Sequence, residues 1–269
     1  MIGLGTYSFF WHHWAENPDR IDVHEALRRT RALDVDLFQI CDFAPLDSFS
    51  ADELASVKAT ADDLGITLEV GTKGVTPQKL ERYLDIALAL DAKLVRSMVF
   101  APDSRPTLGE AEGYLRAAAE RYADSGVTLA LETYEQLSTS DLVGLVEAVG
   151  HPSLGICLDP ANAVAALENP RDVIDRTSEY VKSIHVKDFA FTRRGGWVGF
   201  TLEGAPLGTG LLDYDYLMST VRPDERGINR IVEHWLPLHD TLDETLRLED
   251  EWNTHNLRVL NEHSLRSTN

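Results

Sequence analysis

Four short stretches of this chain close an apolar run with a side chain able to bind a metal: Thr128-Leu-Ala-Leu-Glu132, Leu154-Gly-Ile-Cys-Leu-Asp159, Val181-Lys-Ser-Ile-His185 and Ile228-Asn-Arg-Ile-Val-Glu233. An unpaired charge at the end of a buried strand is costly to desolvate. Four such endings in one chain are therefore read as converging on a cation. Three carboxylates and one imidazole make a hard, oxygen-rich ligand set, suited to Mn²⁺ first and to Mg²⁺ or Co²⁺ as alternatives. A closed Cys/His cluster of the structural zinc type is missing from the sequence. A cation that bridges a carbonyl and the neighbouring hydroxyl stabilises the enediolate left by proton removal. With Glu132 and Glu233 on opposite faces of that carbon, one withdraws a proton and the other returns one, giving epimerisation or ketose–aldose isomerisation. His185 is placed as a ligand through one ring nitrogen, and its other nitrogen should find a partner of its own. Each residue alone also reads as a salt bridge, a helix cap or a satisfied core histidine; the joint pattern favours the metal.

The elements that must carry these residues alternate along the whole chain. Strands are expected at 2–9, 37–41, 67–71, 94–99, 128–132, 154–159, 181–185 and 228–233, with helix-like stretches such as 50–64, 76–90, 108–125 and 140–149 between them. Ser50 with Glu53, and Ser140 beside Asp141, resemble helix starts, while Gly65 and Gly126 fall where helices should stop. Eight strand–helix repeats without a linker give a (β/α)8 TIM barrel of the α/β class, a single domain over residues 1–269. The alternative, an open doubly wound sheet, needs a phosphate-binding glycine loop early on, where this chain has Thr6-Tyr-Ser-Phe-Phe-Trp-His-His-Trp14. Barrel active sites lie at the C-terminal ends of the strands, where the four residues fall. The segment from Thr241 to about Leu260 is read as the closing helix, with a surface available for a homo-oligomer. The stretch 189–213, containing Arg193, Arg194, Gly195, Gly196 and Trp197, is read as a long loop covering the site.

Composition narrows the partners. At 269 residues and 43% apolar, the chain has room for a substantial core. Its 25 Lys+Arg against 44 Asp+Glu give a net charge of −19, which opposes binding to nucleic acid or anionic lipid. No window approaches the ~20 apolar residues of a membrane span, and no signal peptide is recognised at the start. Cys41 and Cys157 sit in apolar runs and are read as buried free thiols in a cytoplasmic protein.

The segments Leu129-Ala-Leu-Glu132, Gly155-Ile-Cys-Leu-Asp-Pro-Ala-Asn162, Ser183-Ile-His-Val-Lys-Asp188, Pro206-Leu-Gly-Thr-Gly210 and Ile231-Val-Glu-His-Trp235 resemble the xylose-isomerase-like superfamily of barrels, which includes the ketose 3-epimerases. The resemblance implies a divalent metal on Glu132, Asp159, His185 and Glu233, with Glu132 and Glu233 doubling as acid/base residues. It also locates departures. Asn162 stands where the epimerases commonly have a substrate-contacting histidine, Phe191 where they have an arginine, and Ser138 where a second glutamate is expected. His12, Asn162, Lys187 and Trp235 are the candidates to touch a small carbohydrate substrate. Asp42 and Lys73 are candidate pocket-lining residues, and Gly208 and Gly210 mark a tight turn or a phosphate cradle. The expected function is a metal-dependent isomerase or epimerase of a small sugar or keto-polyol. The alternative is a lyase, dehydratase or decarboxylase of a keto-sugar or keto-glycoside, because the same enediolate forms when CO₂ leaves. A DNA-repair nuclease on this barrel would need more strand-end ligands and a less acidic surface, and a metal-free sugar-binding protein would have no use for the four residues.

Overall fold

A computed structural model describes residues 1–194, 196 and 198–267. The barrel strands are β1 (Ile2–Gly5), β2 (Leu37–Cys41), β3 (Thr67–Gly71), β4 (Leu94–Ser97), β5 (Thr128–Glu132), β6 (Leu154–Leu158) and β7 (Val181–Val186). An antiparallel hairpin, β8 (Asp188–Arg193) and β9 (Phe200–Ala205), precedes the last barrel strand, β10 (Asn229–Val232). All eight barrel strands are parallel and close in the order β1-β10-β7-β6-β5-β4-β3-β2. With helices outside and side chains inside, both faces of the sheet are covered, so β2 and β6 are buried at every position.

The outer layer comprises α1 (Phe10–His13), α2 (Val23–Ala32), α3 (Ala51–Leu64), α4 (Pro77–Ala89), α5 (Leu108–Asp124), α6 (Thr139–Val149), α7 (Pro160–Val164), α8 (Pro170–Thr177), α9 (Tyr214–Val221), α10 (Pro223–Arg226) and α11 (Leu242–Ser267). Their inner faces keep helical spacing: Leu54, Val57 and Ala61 of α3, Leu80, Leu84 and Ala87 of α4, and Leu115, Ala119 and Tyr122 of α5 are buried in one core. Ser50 and Glu53 form a reciprocal capping box on α3, and Gly65 ends that helix at φ +67°.

Three boundaries differ from the sequence expectation. The first strand stops at Gly5, because Ser8 Oγ accepts from the Gly5 N–H and donates to the Val232 carbonyl, drawing residues 6–9 into a 3₁₀ turn. The sixth helix is capped by Ser138, which accepts from Asp141 N at 3.1 Å, not by Ser140; only Ser138 stands three residues before an acceptor-seeking amide. The expected loop over 189–213 is largely the β8–β9 hairpin; Gly195 and Trp197 of that stretch lie outside the described residues. Cys41 and Cys157 are free and buried. Among the described residues, no helix is long and apolar enough to cross a membrane.

Candidate metal centre

Glu132 is the last residue of β5, Asp159 follows β6, His185 lies near the end of β7, and Glu233 follows β10. Parallel register brings these ends to one mouth of the barrel. Each of the four residues offers a ligand atom that lies within 4.8 Å of the other three, and all four are buried.

The local hydrogen bonds leave one face of each group turned to this common point. Asp159 is the N-cap of α7: its Oδ1 accepts from Ala161 N and Asn162 N at 3.0 and 3.3 Å, leaving Oδ2 buried and turned to the cluster and Lys187. Glu132 Oε1 accepts from Asn162 Nδ2 at 2.7 Å. His185 Nε2 meets Gln39 Oε1 at 2.8 Å, and the Gln39 amide nitrogen turns to Glu69 at 2.9 Å. This arrangement places the imidazole proton on Nε2. The bare Nδ1 then faces Glu132 Oε1 at 3.4 Å and Glu233 Oε1 at 3.2 Å, with no hydrogen-bond partner. Three lone-pair atoms gathered in this way repel one another unless positive charge lies among them. Burial disfavours a charged imidazole, yet Cys157, then Glu233 and Glu132, raise the His185 pKa well above the usual histidine value. The position draws a cation, and the donor set fits a divalent one.

Two buried cations complete the electrostatics. Lys187 Nζ lies 2.7 Å from Asp159 Oδ2, 3.1 Å from Glu233 Oε2 and 3.3 Å from Asn162 Oδ1, and stands 4.3 Å above the Trp235 ring. Arg96, on β4, pairs with Glu132 Oε2 and with Asp42 at 3.0 Å. Burial pushes the Glu132 carboxyl up, but Arg96, then His185, outweigh it and bring the pKa to about 2. The buried side chains of Asp42, Glu132, Asp159 and Glu233 thus face Arg96 and Lys187, with His185 between Glu132 and Glu233. Half-exposed Lys73 reaches Asp42 at 3.2 Å from outside.

Of the four candidates for substrate contact, Asn162 and Lys187 bond to the cluster and Trp235 lies against Lys187, whereas His12 lies apart. It is buried under α11, its Nδ1 2.6 Å from Glu249 Oε2, because the fully buried Glu249 also takes the Trp11 and His12 amides and needs these partners. His13 instead lines a cavity of 570 Å³ beside the site, with Tyr7, Phe10, Trp14, Phe43 and Asp42. His234 packs behind the wall against Trp252. The Gly208–Gly210 turn cradles an anion, but it is the chain's own: Asp188 accepts from Phe189 N, Gly208 N, Gly210 N and Leu212 N at 2.8 to 2.9 Å. Phe191 is exposed on the hairpin and Ser138 serves as a helix cap, so neither replaces the epimerase side chain expected at its position. Arg96 and Gln39 were not found from sequence. Their signal was present: each is a polar residue inside an apolar strand, Leu94-Val-Arg-Ser97 and Leu37-Phe-Gln-Ile-Cys41.

A closed parallel barrel with a buried Glu/Asp/His/Glu cluster at its C-terminal mouth belongs to the class of barrels that can hold a catalytic cation there. Comparison with known proteins makes this particular: the chain belongs to the xylose isomerase-like TIM barrel family, whose model matches residues 27–254. The chain is 48% identical over 259 residues to a 3-oxo-isoapionate decarboxylase of Pectobacterium atrosepticum, covering 96% of this chain and 94% of that one. Among solved structures it resembles a D-psicose 3-epimerase of Clostridium cellulolyticum H10 (TM-score 0.73, 15% identity, 96% and 97% of the two chains). It also resembles a xylose isomerase-like barrel of Mycobacterium smegmatis in complex with magnesium (TM-score 0.70, 17% identity, 95% and 96%). The chain is an enzyme, and this kinship favours the lyase alternative over the epimerase that the sequence alone put first.

Proposed function

We propose that this chain is a divalent-metal-dependent decarboxylase of a polyhydroxy 3-oxo acid, a small carbohydrate derivative. The observation that carries the proposal is the 48% identity, over nearly the whole chain, to a 3-oxo-isoapionate decarboxylase. In a 3-oxo acid the ketone is β to the carboxylate. The C1–C2 bond breaks, its electrons pass into a C2–C3 double bond, CO₂ departs and the ketone oxygen takes the charge. Glu132, Asp159, His185 and Glu233 would hold the ion, Mn²⁺, Mg²⁺ or Co²⁺. When bound, it supplies positive charge beside the ketone oxygen and the neighbouring hydroxyl. Lys187, Asn162 and Trp235 orient the substrate, the ammonium and amide by hydrogen bonds and the indole by its face. Glu132 is pinned by Arg96 and Asn162, so the return of a proton to C2 falls to Glu233.

Epimerisation or isomerisation is the second reading. It is favoured by the presence of both Glu132 and Glu233 within 3.4 Å of His185 Nδ1, and opposed by Phe191 and Ser138. NMR of the metal-loaded protein with a 3-oxo sugar acid in D₂O separates the two. The decarboxylase releases CO₂ in step with a ketose one carbon shorter and deuterated at the former C2. Exchange beside the ketone with every carbon retained would overturn it. Chelation should abolish turnover and a divalent ion restore it.

A further inference from the structure

We propose that Arg96 is a substrate-binding residue whose guanidinium holds the oxygen that gains negative charge as CO₂ leaves. The proposal rests on the decarboxylase reading for the reaction but on the structure for the residue. Arg96 is 2% exposed. Its Nη1 donates to Asp42 Oδ1 at 3.0 Å and to the Thr72 carbonyl at 2.9 Å, and its Nη2 reaches Glu132 and Asp42 Oδ2. Its Nε is buried with no partner. A buried N–H left unpaired is costly, so an acceptor arriving with the substrate would be strongly held.

The position of Arg96 fits that acceptor. One end of the guanidinium touches Glu132, a member of the metal cluster. The other touches Asp42, which lines the cavity beside the site and accepts a hydrogen bond from Tyr7 at 3.3 Å. A substrate seated in that cavity and extending to the cluster passes this junction. Asp42 follows β2 at φ +52°, and Lys73 at 3.2 Å gives it a second cationic partner. Asp42 therefore keeps its cationic partners while the free Nε of Arg96 takes up a ligand. The step needs no proton from Arg96: the C1–C2 pair moves to the ketone oxygen and the guanidinium donates hydrogen bonds to it. The chain lacks an arginine at position 191, and Arg96 brings a guanidinium to the same mouth from β4.

The test uses the Mn²⁺-loaded protein and oxalate, a planar dianion resembling the enediolate, with Arg96→Met and Arg96→Lys. Calorimetry should show Mn²⁺ affinity within about threefold of wild type in both, with oxalate affinity about tenfold weaker or more in Arg96→Met and intermediate in Arg96→Lys. On a 3-oxo acid that turns over, kcat should fall about 10²–10³-fold in Arg96→Met with little change in KM. Unchanged oxalate binding would overturn the proposal. So would loss of Mn²⁺ affinity in proportion to oxalate affinity, which would make Arg96 a support for Glu132 only. If Arg96→Met fails to fold, Arg96→Lys carries the test with the same outcomes. Arg96-dependent oxalate binding by a protein that decarboxylates no 3-oxo acid would keep the role of Arg96 and remove only the reaction class.

Discussion

His185 owes its orientation to a residue on the opposite side of the barrel. Gln39 on β2 fixes the Nε2 proton, and Glu69 and Asn229 fix Gln39 in turn, with Asn229 Nδ2 2.6 Å from Glu69. Gln39→Leu should therefore weaken divalent-metal affinity about 10–100-fold without unfolding the protein, as measured by competition with a fluorescent chelator. Unaltered affinity would show that the ring needs no such anchor. Glu233→Gln should abolish turnover, measured as CO₂ release, because an amide cannot return a proton. The four cluster residues were legible in the sequence because each ends an apolar run, where a charge has no packing reason to be. Gln39 and Arg96 were not, although both are as deeply buried. Their partners, His185 and Glu132, lie on other strands, and only barrel closure brings them within reach.

Elements were legible where local chemistry decides them. The Ser50–Glu53 capping box marks the start of α3 without help from the fold, and Ser50→Ala should cost about 1 kcal/mol. Elements decided by tertiary partners were misread. The strand at 2–9 is cut short by the Ser8 bond to Val232 on β10, and the hairpin hides in a segment that leaves the core after Phe189, with no buried residue in the rest of β8. The His12 assignment failed for the same reason: the demand for its imidazole comes from Glu249, more than two hundred residues away. That clasp ties α1 to α11 through Trp11 N at 2.9 Å, His12 N at 3.2 Å and His12 Nδ1 at 2.6 Å. Glu249→Ala leaves those donors buried and should lower stability by about 1–3 kcal/mol. Urea unfolding with an unchanged slope reads the loss directly; an unmoved midpoint would mean that water replaces the carboxylate.

The whole molecule was the easiest scale to read, because eight alternations of apolar run and amphipathic stretch admit few topologies. Its energetics are less even. Four carboxylates crowded at the barrel mouth, in a chain of net charge −19, work against folding. A cation bound there should raise the melting temperature, contributing about 2.7 kcal/mol at a hundredfold excess over its Kd. Asp159→Asn should remove most of that gain; an equal shift in the variant would place the ion elsewhere. The turn after the hairpin has a further consequence. Barrels often seat a substrate's phosphoryl group in loops of this region, yet here four amides already answer to Asp188. A phosphate ester arriving at that turn must displace a carboxylate held there by the chain itself. The turn thus offers a phosphoryl group no free amides, and millimolar inorganic phosphate should not protect the protein from heat by binding there.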